Sequence, residues 1–362
     1  MKTKSLIFSM LSMLALSAGF TSCSDDDNSN TGNEKIVWTE TRAFILNEGS
    51  MNANNADITY FDWATDATYA KDLFLKQNKH QLGDTGQDII ADHEGNIYVI
   101  VSGSNYITKL NEEGVEQATV QISEELGSPR YGVLDEDYLY VTCYGGYIAK
   151  INTNNMTVVG EVAVGQNPEY IIKKDGYLYC TNSGWGADNR VAKVEIPAFE
   201  EASFVEVMNN PDHIISVAGH IYVQGYGADS SYPWGELLSN GTFETIGQAS
   251  SWAAFGNTLY LAYSATDWNT YATTTTFSSY DVATGTLSES SPLKDAPAEL
   301  ATASVYSMNV NPYTGDLYIA TSDFINNGVI YHFDKEGTFI RKFASTGINP
   351  RKIIFLGGMG DK

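Results

Sequence analysis

One phrase recurs along this chain: a short apolar strand, a tight polar turn, and a second apolar strand that carries a tyrosine. Gly86-Gln87-Asp88-Ile89-Ile90-Ala91 leads through Glu94-Gly95-Asn96 into Ile97-Tyr98-Val99. Pro129-Arg130-Tyr131-Gly132-Val133-Leu134 leads into Tyr138-Leu139-Tyr140-Val141, and Pro168-Glu169-Tyr170-Ile171-Ile172 into Tyr177-Leu178-Tyr179-Cys180. Pro211-Asp212-His213-Ile214-Ile215, Trp252-Ala253-Ala254-Phe255 and Tyr306-Ser307-Met308-Asn309-Val310 open the same phrase again. The second-strand tyrosines fall at 98, 140, 179, 222, 260 and 318, in steps of 42, 39, 43, 38 and 58 residues. Repeated strand pairs at a period near 40, with no helical pattern between them, predict an all-β propeller.

The ends of the chain set the blade count. Ala43-Phe44-Ile45-Leu46 reads as a second strand with no first strand before it, and Asn349-Pro350-Arg351-Lys352-Ile353-Ile354-Phe355 as a first strand with no second strand after it. An unsealed ring leaves open sheet edges, so the two pieces are expected to share one blade. The result is a seven-bladed β-propeller closed by both termini. The body from Ile36 to Lys362 allots about 47 residues to each blade, enough for four short strands and their turns. Blade one has an outer strand expected near Ala70–Phe74; blades two to seven are expected at Gly86–Ile122, Ser128–Val164, Gln166–Val207, Asn210–Ile246, Ser250–Ser290 and Val305–Phe343. An insertion at Ser290–Thr302 accounts for the longest step.

Ahead of the body, Met1-Lys2-Thr3-Lys4 and an apolar run from Leu6 to Phe20 form a basic n-region and an h-region too short for a comfortable membrane span. Thr21-Ser22-Cys23 resembles a bacterial lipobox, and Ser24-Asp25-Asp26-Asp27 resembles the surface-export signal of Bacteroidetes lipoproteins. Residues 1–22 are therefore read as a lipoprotein signal peptide. Cys23 is the expected lipidation site, and residues 23–35 an acidic linker without fixed structure. An ordinary secretory signal followed by a solvated acidic linker is the plainer alternative. The expected location is the outer membrane, facing the cell exterior, with membrane contact through the lipid only.

The chain has 21 basic and 44 acidic residues; losing Lys2 and Lys4 with the signal leaves a mature net charge of −25. Such a surface repels nucleic acid and anionic membrane. With Cys23 acylated, only Cys143 and Cys180 remain, on equivalent second strands of adjacent blades. They are read as two buried free thiols, a disulfide being the other possibility.

One face of a propeller is lined by the loops that lead into the inner strands and by those that join second strands to third. The first set supplies Gln87, Pro129-Arg130, Pro168-Glu169, Pro211-Asp212 and Pro350-Arg351. The second set is long in blades four, five and six, at Ser183–Asn189, Gly225–Gly235 and Ser264–Thr276. Four of the six tryptophans, Trp185, Trp234, Trp252 and Trp268, fall on this face, accompanied by Tyr226, Tyr232, Tyr263 and Tyr271. Such aromatics either plug the gaps between blades or form a platform for a large, partly apolar ligand. As a platform, they would be ringed by Arg130, Tyr131, Glu169, Asp212, His213, Tyr306 and Arg351, with Gln87 at the matching place in blade two.

No catalytic constellation stands out, so the chain is read as a binding protein and not an enzyme. The histidines are His80, His93, His213, His220 and His332. Only His213 lies at the start of an inner strand; His93 and His220 belong to turns on the opposite face, and His332 to a third strand. There is no G-x-S-x-G, no H-E-x-x-H and no Cys/His zinc spacing. The carboxylates from Asp57 to Asp66 lack calcium-loop spacing.

Several stretches together resemble YncE-like propellers of the DUF5074 type, surface lipoproteins of Bacteroidetes. These are Leu46-Asn47-Glu48-Gly49 with Ile58-Thr59-Tyr60-Phe61-Asp62, Leu82-Gly83-Asp84-Thr85-Gly86-Gln87-Asp88, Ser128-Pro129-Arg130-Tyr131, and Val310-Asn311-Pro312-Tyr313-Thr314-Gly315-Asp316-Leu317-Tyr318. The resemblance covers the whole mature body. Members of the BtuG type bind cobalamin and work with a TonB-dependent outer-membrane transporter. It implies a cobamide as ligand, not as cofactor, and such a transporter as partner; it carries to the face and not to individual contacts. The alternatives are a scaffold or adhesin that binds protein or glycan, and a propeller hydrolase or lyase.

Overall fold

The computed structural model describes residues 36–227, 231–267, 269–270 and 272–357. The expected signal peptide, the expected lipidation site Cys23 and the expected acidic linker lie outside them, as do Trp268 and Tyr271. Within them the chain makes seven four-stranded antiparallel sheets. Six are built from consecutive strands. The seventh sets the C-terminal strand Pro350–Phe355 beside Arg42–Asn47, followed by Asp57–Asp62 and Ala67–Ala70. The chain is a seven-bladed β-propeller, and blade one is sealed by both ends of the body.

The recurring tyrosine explains much of the spacing. On each second strand it faces a fixed cross-strand partner on the third: Tyr98 opposite Lys109, Tyr140 opposite Lys150, Tyr179 opposite Lys193, Tyr318 opposite His332. Where the partner is lysine, its ammonium lies over the ring, at 5.7 Å for Tyr98 and 5.6 Å for Tyr140. The apolar core is distributed between blades. Tyr98 and Ile100 of blade two pack with Leu139, Val141 and Cys143 of blade three, and the pattern repeats around the ring. Cys143 and Cys180 are free and buried, and burial pushes the Cys143 thiol up to about 12.

Ring closure uses polar as well as ladder contacts. Asn47 donates to Asp57 and Thr59, and Ser345 donates back to Asn47, tying the crossover from blade seven into blade one. On the same seam His332 bridges Asp66 at 2.7 Å and Asp316 at 3.2 Å. Burial lowers the His332 pKa, but these hydrogen bonds and charges outweigh it and raise it above the ordinary value.

Two expected elements differ. The outer strand of blade one ends at Ala70, and Leu73–Asn78 is a short helix that buries Leu73 and Phe74 against the blade. The expected loop Ser264–Thr276 of blade six is mostly a ladder: Thr258–Asp267 and Ala272–Asp281 pair over their whole length.

Candidate ligand site at the channel mouth

The inner strands of six blades share one irregularity. Their pairing with the second strand skips residues near the top: Gln87, Arg130-Tyr131, Glu169-Tyr170, Asp212, Tyr306 and Arg351 are passed over in the ladder. These are β-bulges at corresponding places, and a bulge re-aims the extra side chain. The polar residues expected at the face are therefore the ones released from pairing. Asn167, Asn210 and Asn349 precede Pro168, Pro211 and Pro350 with φ of 45°, 55° and 59°, a left-handed conformation that asparagine tolerates. Only blade six lacks the bulge: Ser251–Phe255 pairs continuously with its neighbour.

The bulged side chains form two clusters. In the first, Arg130 donates from Nε to Glu169 at 3.0 Å and from Nη1 to Gln87 at 2.5 Å, with its guanidinium 4.4 Å over the Tyr144 ring. Tyr144 closes this cluster by donating to the other Glu169 oxygen at 2.5 Å. Burial pushes the Glu169 carboxyl above its usual range, against the pull of the Arg130 charge. In the second, Arg351 donates from Nη1 to Glu48 at 2.5 Å and from Nη2 to Tyr131, while Tyr306 donates to the same Glu48 oxygen. Lys352 pairs with the buried Asp88 at 2.6 Å.

Between the clusters, three side chains stack across the channel. Tyr131 lies on Tyr170 at 3.5 Å between ring centroids, and Tyr170 on His213 at 3.9 Å. They come from adjacent blades and the same place in each inner strand. Burial raises the pKa of both tyrosines, which keeps their hydroxyls neutral. Oδ2 of Asp212 is 2.6 Å from Nδ1 of His213, but too oblique for a hydrogen bond, and that nitrogen has no hydrogen-bond partner. Burial raises the Asp212 carboxyl, yet the charge of His213, then of Arg351 and Arg130, outweighs it and holds the group below its ordinary value.

The Arg130 cluster belongs to blades two to four, and the stack runs from blade three to blade five. Beside them a cavity of about 700 Å³ opens, lined by the inner strands of blades five, six and seven and by Arg351 and Lys352. Blade six leaves room there, because Ser251 stands two residues before the partner of Tyr260, the place that Tyr131 and Tyr170 take in blades three and four. Tyr226, Tyr232, Trp252, Tyr306 and Phe324 form aromatic walls, and Ser250, Ser264, Thr266, Ser304 and Ser307 add hydroxyls. The volume is within the usual range for small-molecule sites.

Apart from Trp268, which lies outside the described residues, the expected site residues separate into four groups. Asp212, His213, Tyr226, Trp252, Tyr306 and Arg351 line the cavity. Gln87, Arg130, Tyr131 and Glu169 lie beside it and hold its wall. Trp185 stands apart on the rim, 74% exposed and edge-on to Tyr144. Trp234 is not on the face: it is 0% exposed in the core between blades five and six, edge-on to Tyr222, Trp252 and Tyr280. The wedge between diverging blades needs bulk, and this indole supplies it. Tyr170 and Phe324 were missed. Tyr170 was legible, since it follows Glu169 as Tyr131 follows Arg130 and His213 follows Asp212.

Among the described residues, no group of three or more His, Cys, Asp or Glu side chains is arranged to hold a metal ion. No helix among them is long and apolar enough to cross a membrane.

No family model matches the chain, and no curated protein matches it. Solved structures do. A 6-phosphogluconolactonase-named protein of Bacteroides fragilis aligns with a TM-score of 0.58 at 14% identity, covering 91% of this chain and 100% of that one. Hydrazine synthase of Kuenenia stuttgartiensis aligns with a TM-score of 0.58 at 14% identity over 69% of this chain and 77% of that one. A protein of unknown function from Bacteroides caccae aligns with a TM-score of 0.50 at 11% identity over 87% and 98%. At such identity the likeness shows the fold alone.

Proposed function

We propose that this protein captures a large, uncharged, partly apolar small molecule at the channel mouth, that the molecule is a cobamide, and that it is handed to a TonB-dependent outer-membrane transporter. In this reading the chain is a surface lipoprotein anchored through Cys23 and carries out no chemistry on its cargo. The observation that carries the reading is the one-sided cavity, with aromatic walls above a ring whose arginines are already paired. A corrin is broad and apolar at its edges, with amide arms around its rim. Tyr226, Trp252 and Phe324 suit its body, while His213, Asp212 and the serines suit its amides. The net charge of the mature chain disfavours polyanions.

Calorimetry of the unlipidated mature chain with cyanocobalamin tests it. Micromolar or tighter binding with quenching of tryptophan fluorescence is expected. Replacing Trp252 by Ala should cost about 2–4 kcal/mol of binding, roughly a thirty- to thousand-fold loss. No heat and no quenching at micromolar ligand would refute the cobamide reading. The second reading is a glycan, which the hydroxyl-rich lining at Ser250, Ser251, Ser264, Thr266, Ser304 and Ser307 favours. A thermal-shift panel of cobamides, hemes and oligosaccharides separates the two.

A further inference from the structure

We propose that His213 is the protein's ligand to the metal at the centre of the bound molecule, its Nε2 taking one axial position on the cobalt of a cobamide. This rests on the cobamide reading and gives His213 a sharper role than contact with an amide arm.

His213 ends the Tyr131–Tyr170–His213 stack, and it borders the cavity where Tyr131 does not. Its place is fixed from three directions. The backbone is held in the ladder opposite Gln224, one face of the ring lies on Tyr170 at 3.9 Å, and the Asp212 carboxylate stands 2.6 Å from Nδ1. The bulge brings that carboxylate beside the ring, since Pro211 and His213 pair with the second strand and Asp212 does not.

The two ring nitrogens differ. Nδ1 is closed off from solvent. Nε2 has no hydrogen-bond partner among the described residues either, but it is not enclosed, and the side chain is 25% exposed where it lines the cavity. Asp212 decides which nitrogen carries the proton. A lone pair on Nδ1 would meet a carboxylate oxygen at 2.6 Å, a repulsive contact, whereas a proton there is attracted even though the approach is oblique. The neutral imidazole therefore keeps its proton on Nδ1 and its lone pair on Nε2. A carboxylate behind the ring also raises the basicity of the far nitrogen and steadies the ring, as it does for imidazoles that bind metals.

The other groups of the lining are committed elsewhere. The Lys352 ammonium pairs with Asp88, and the Tyr306 hydroxyl donates to Glu48. His213 is the single imidazole among the described residues of the lining. No three metal-binding side chains converge among the described residues, so a free ion would find too few ligands here. One imidazole on a cavity wall suits a metal that arrives already held by a macrocycle. On a corrinoid with an exchangeable water, the Nε2 lone pair replaces that water. The water leaves, the proton stays on Nδ1, and the cobalt keeps its oxidation state.

Electron paramagnetic resonance of cob(II)inamide tests the assignment, because this corrinoid lacks a nucleotide base of its own to fill the axial position. The probe is mixed with the unlipidated mature chain, and its binding is measured separately by calorimetry. A bound imidazole splits the cobalt lines into triplets through its ligating nitrogen, and the free aquo form shows no such splitting. Protein labelled with nitrogen-15 histidine should turn the triplets into doublets. His213→Phe, which keeps a ring in the stack, should bind the probe at least about tenfold more weakly and show no splitting. Binding without nitrogen splitting in the unmodified protein overturns the ligand assignment and leaves the cobamide reading standing. Triplets that survive the labelling, or that persist in His213→Phe, also overturn the assignment. If neither cob(II)inamide nor cyanocobalamin binds, both readings fall.

Discussion

Trp234→Ala separates a wedge from a platform. The indole is fully buried between blades five and six, with ring centroids 6.0 Å from Tyr222, 6.4 Å from Trp252 and 5.3 Å from Tyr280. Truncating a core tryptophan to alanine costs ~3–5 kcal/mol through lost burial and the cavity left behind. One term opposes this. The indole N–H has no acceptor, and removing an orphaned donor recovers ~1 kcal/mol or more. The net expectation is a loss of ~2–4 kcal/mol. With a urea slope of ~3 kcal/mol/M, the midpoint falls by about 1 M. Trp234→Phe keeps a ring in the wedge and discards the N–H, so it should cost less than about 1.5 kcal/mol. Urea unfolding followed by far-UV circular dichroism reads both variants. An alanine variant that unfolds at the wild-type midpoint would refute the packing argument. A phenylalanine variant as weak as the alanine one would refute the account of the orphaned N–H.

Three further outcomes are expected. Burial first, and then the neighbouring Asp72, pushes the Asp57 carboxyl from 3.8 up to about 8. The folded state therefore binds a proton that the unfolded chain releases, and stability falls as pH rises through that window, by up to ~1.4 kcal/mol per unit. His332, with its pKa also raised, slopes the same way near neutrality, so the difference between wild type and Asp57→Asn isolates Asp57. The variant should gain stability relative to wild type between pH 5 and pH 9, and equal slopes in urea midpoints would count against the assignment. Deleting the chain from Asn349 removes the strand that pairs with Arg42–Asn47 and the burial of Ile353, Ile354 and Phe355. The truncated protein should aggregate or lose cooperative unfolding, whereas a melt at the wild-type temperature would contradict ring closure. Finally, Cys23→Ala should release the protein from membranes in cell fractionation; a variant that stays membrane-bound would rule out the lipid anchor.

The fold was legible because a propeller writes itself repeatedly. Six of the seven blades repeat the tyrosine phrase, so irregular spacing in any one of them is corrected by the others. The unpaired pieces at Ala43–Leu46 and Asn349–Phe355 gave both the blade count and the closure. The polar ring was legible for the same reason, since Arg130, Glu169, Asp212 and Arg351 each follow a proline at one repeat position. What occurs once was harder to read. Trp234 follows Pro233 where a loop becomes a strand, and a shift of one residue decides which side the indole takes. The helix Leu73–Asn78 is a single six-residue piece held by burial of Leu73 and Phe74, too short for a periodic signal. The Thr273–Thr276 run has strand propensity, but only its pairing with Tyr263–Thr266 shows the hairpin.

The arrangement of charge at the mouth bears on how such a site acquires specificity. Arg130 and Arg351 are the residues that first suggest an anion site, yet each is held by a carboxylate and a tyrosine or glutamine. Breaking one of these pairs leaves a partly buried charge unpaired, which costs ~3–5 kcal/mol. A ligand cannot recover that from a few rim contacts, so the paired arginines act as fixed walls that hold the Tyr131–Tyr170–His213 stack in place. In the proposed site, discrimination then falls to groups that are not so committed, the aromatics Tyr226, Trp252 and Phe324. Tyr226 and Phe324 stand on loops between second and third strands, where substitution disturbs no ladder. The same ring could therefore be kept while the loop aromatics change the shape of molecule it admits. The one blade without a bulge is the place where that change finds room, because its small side chains leave the channel open.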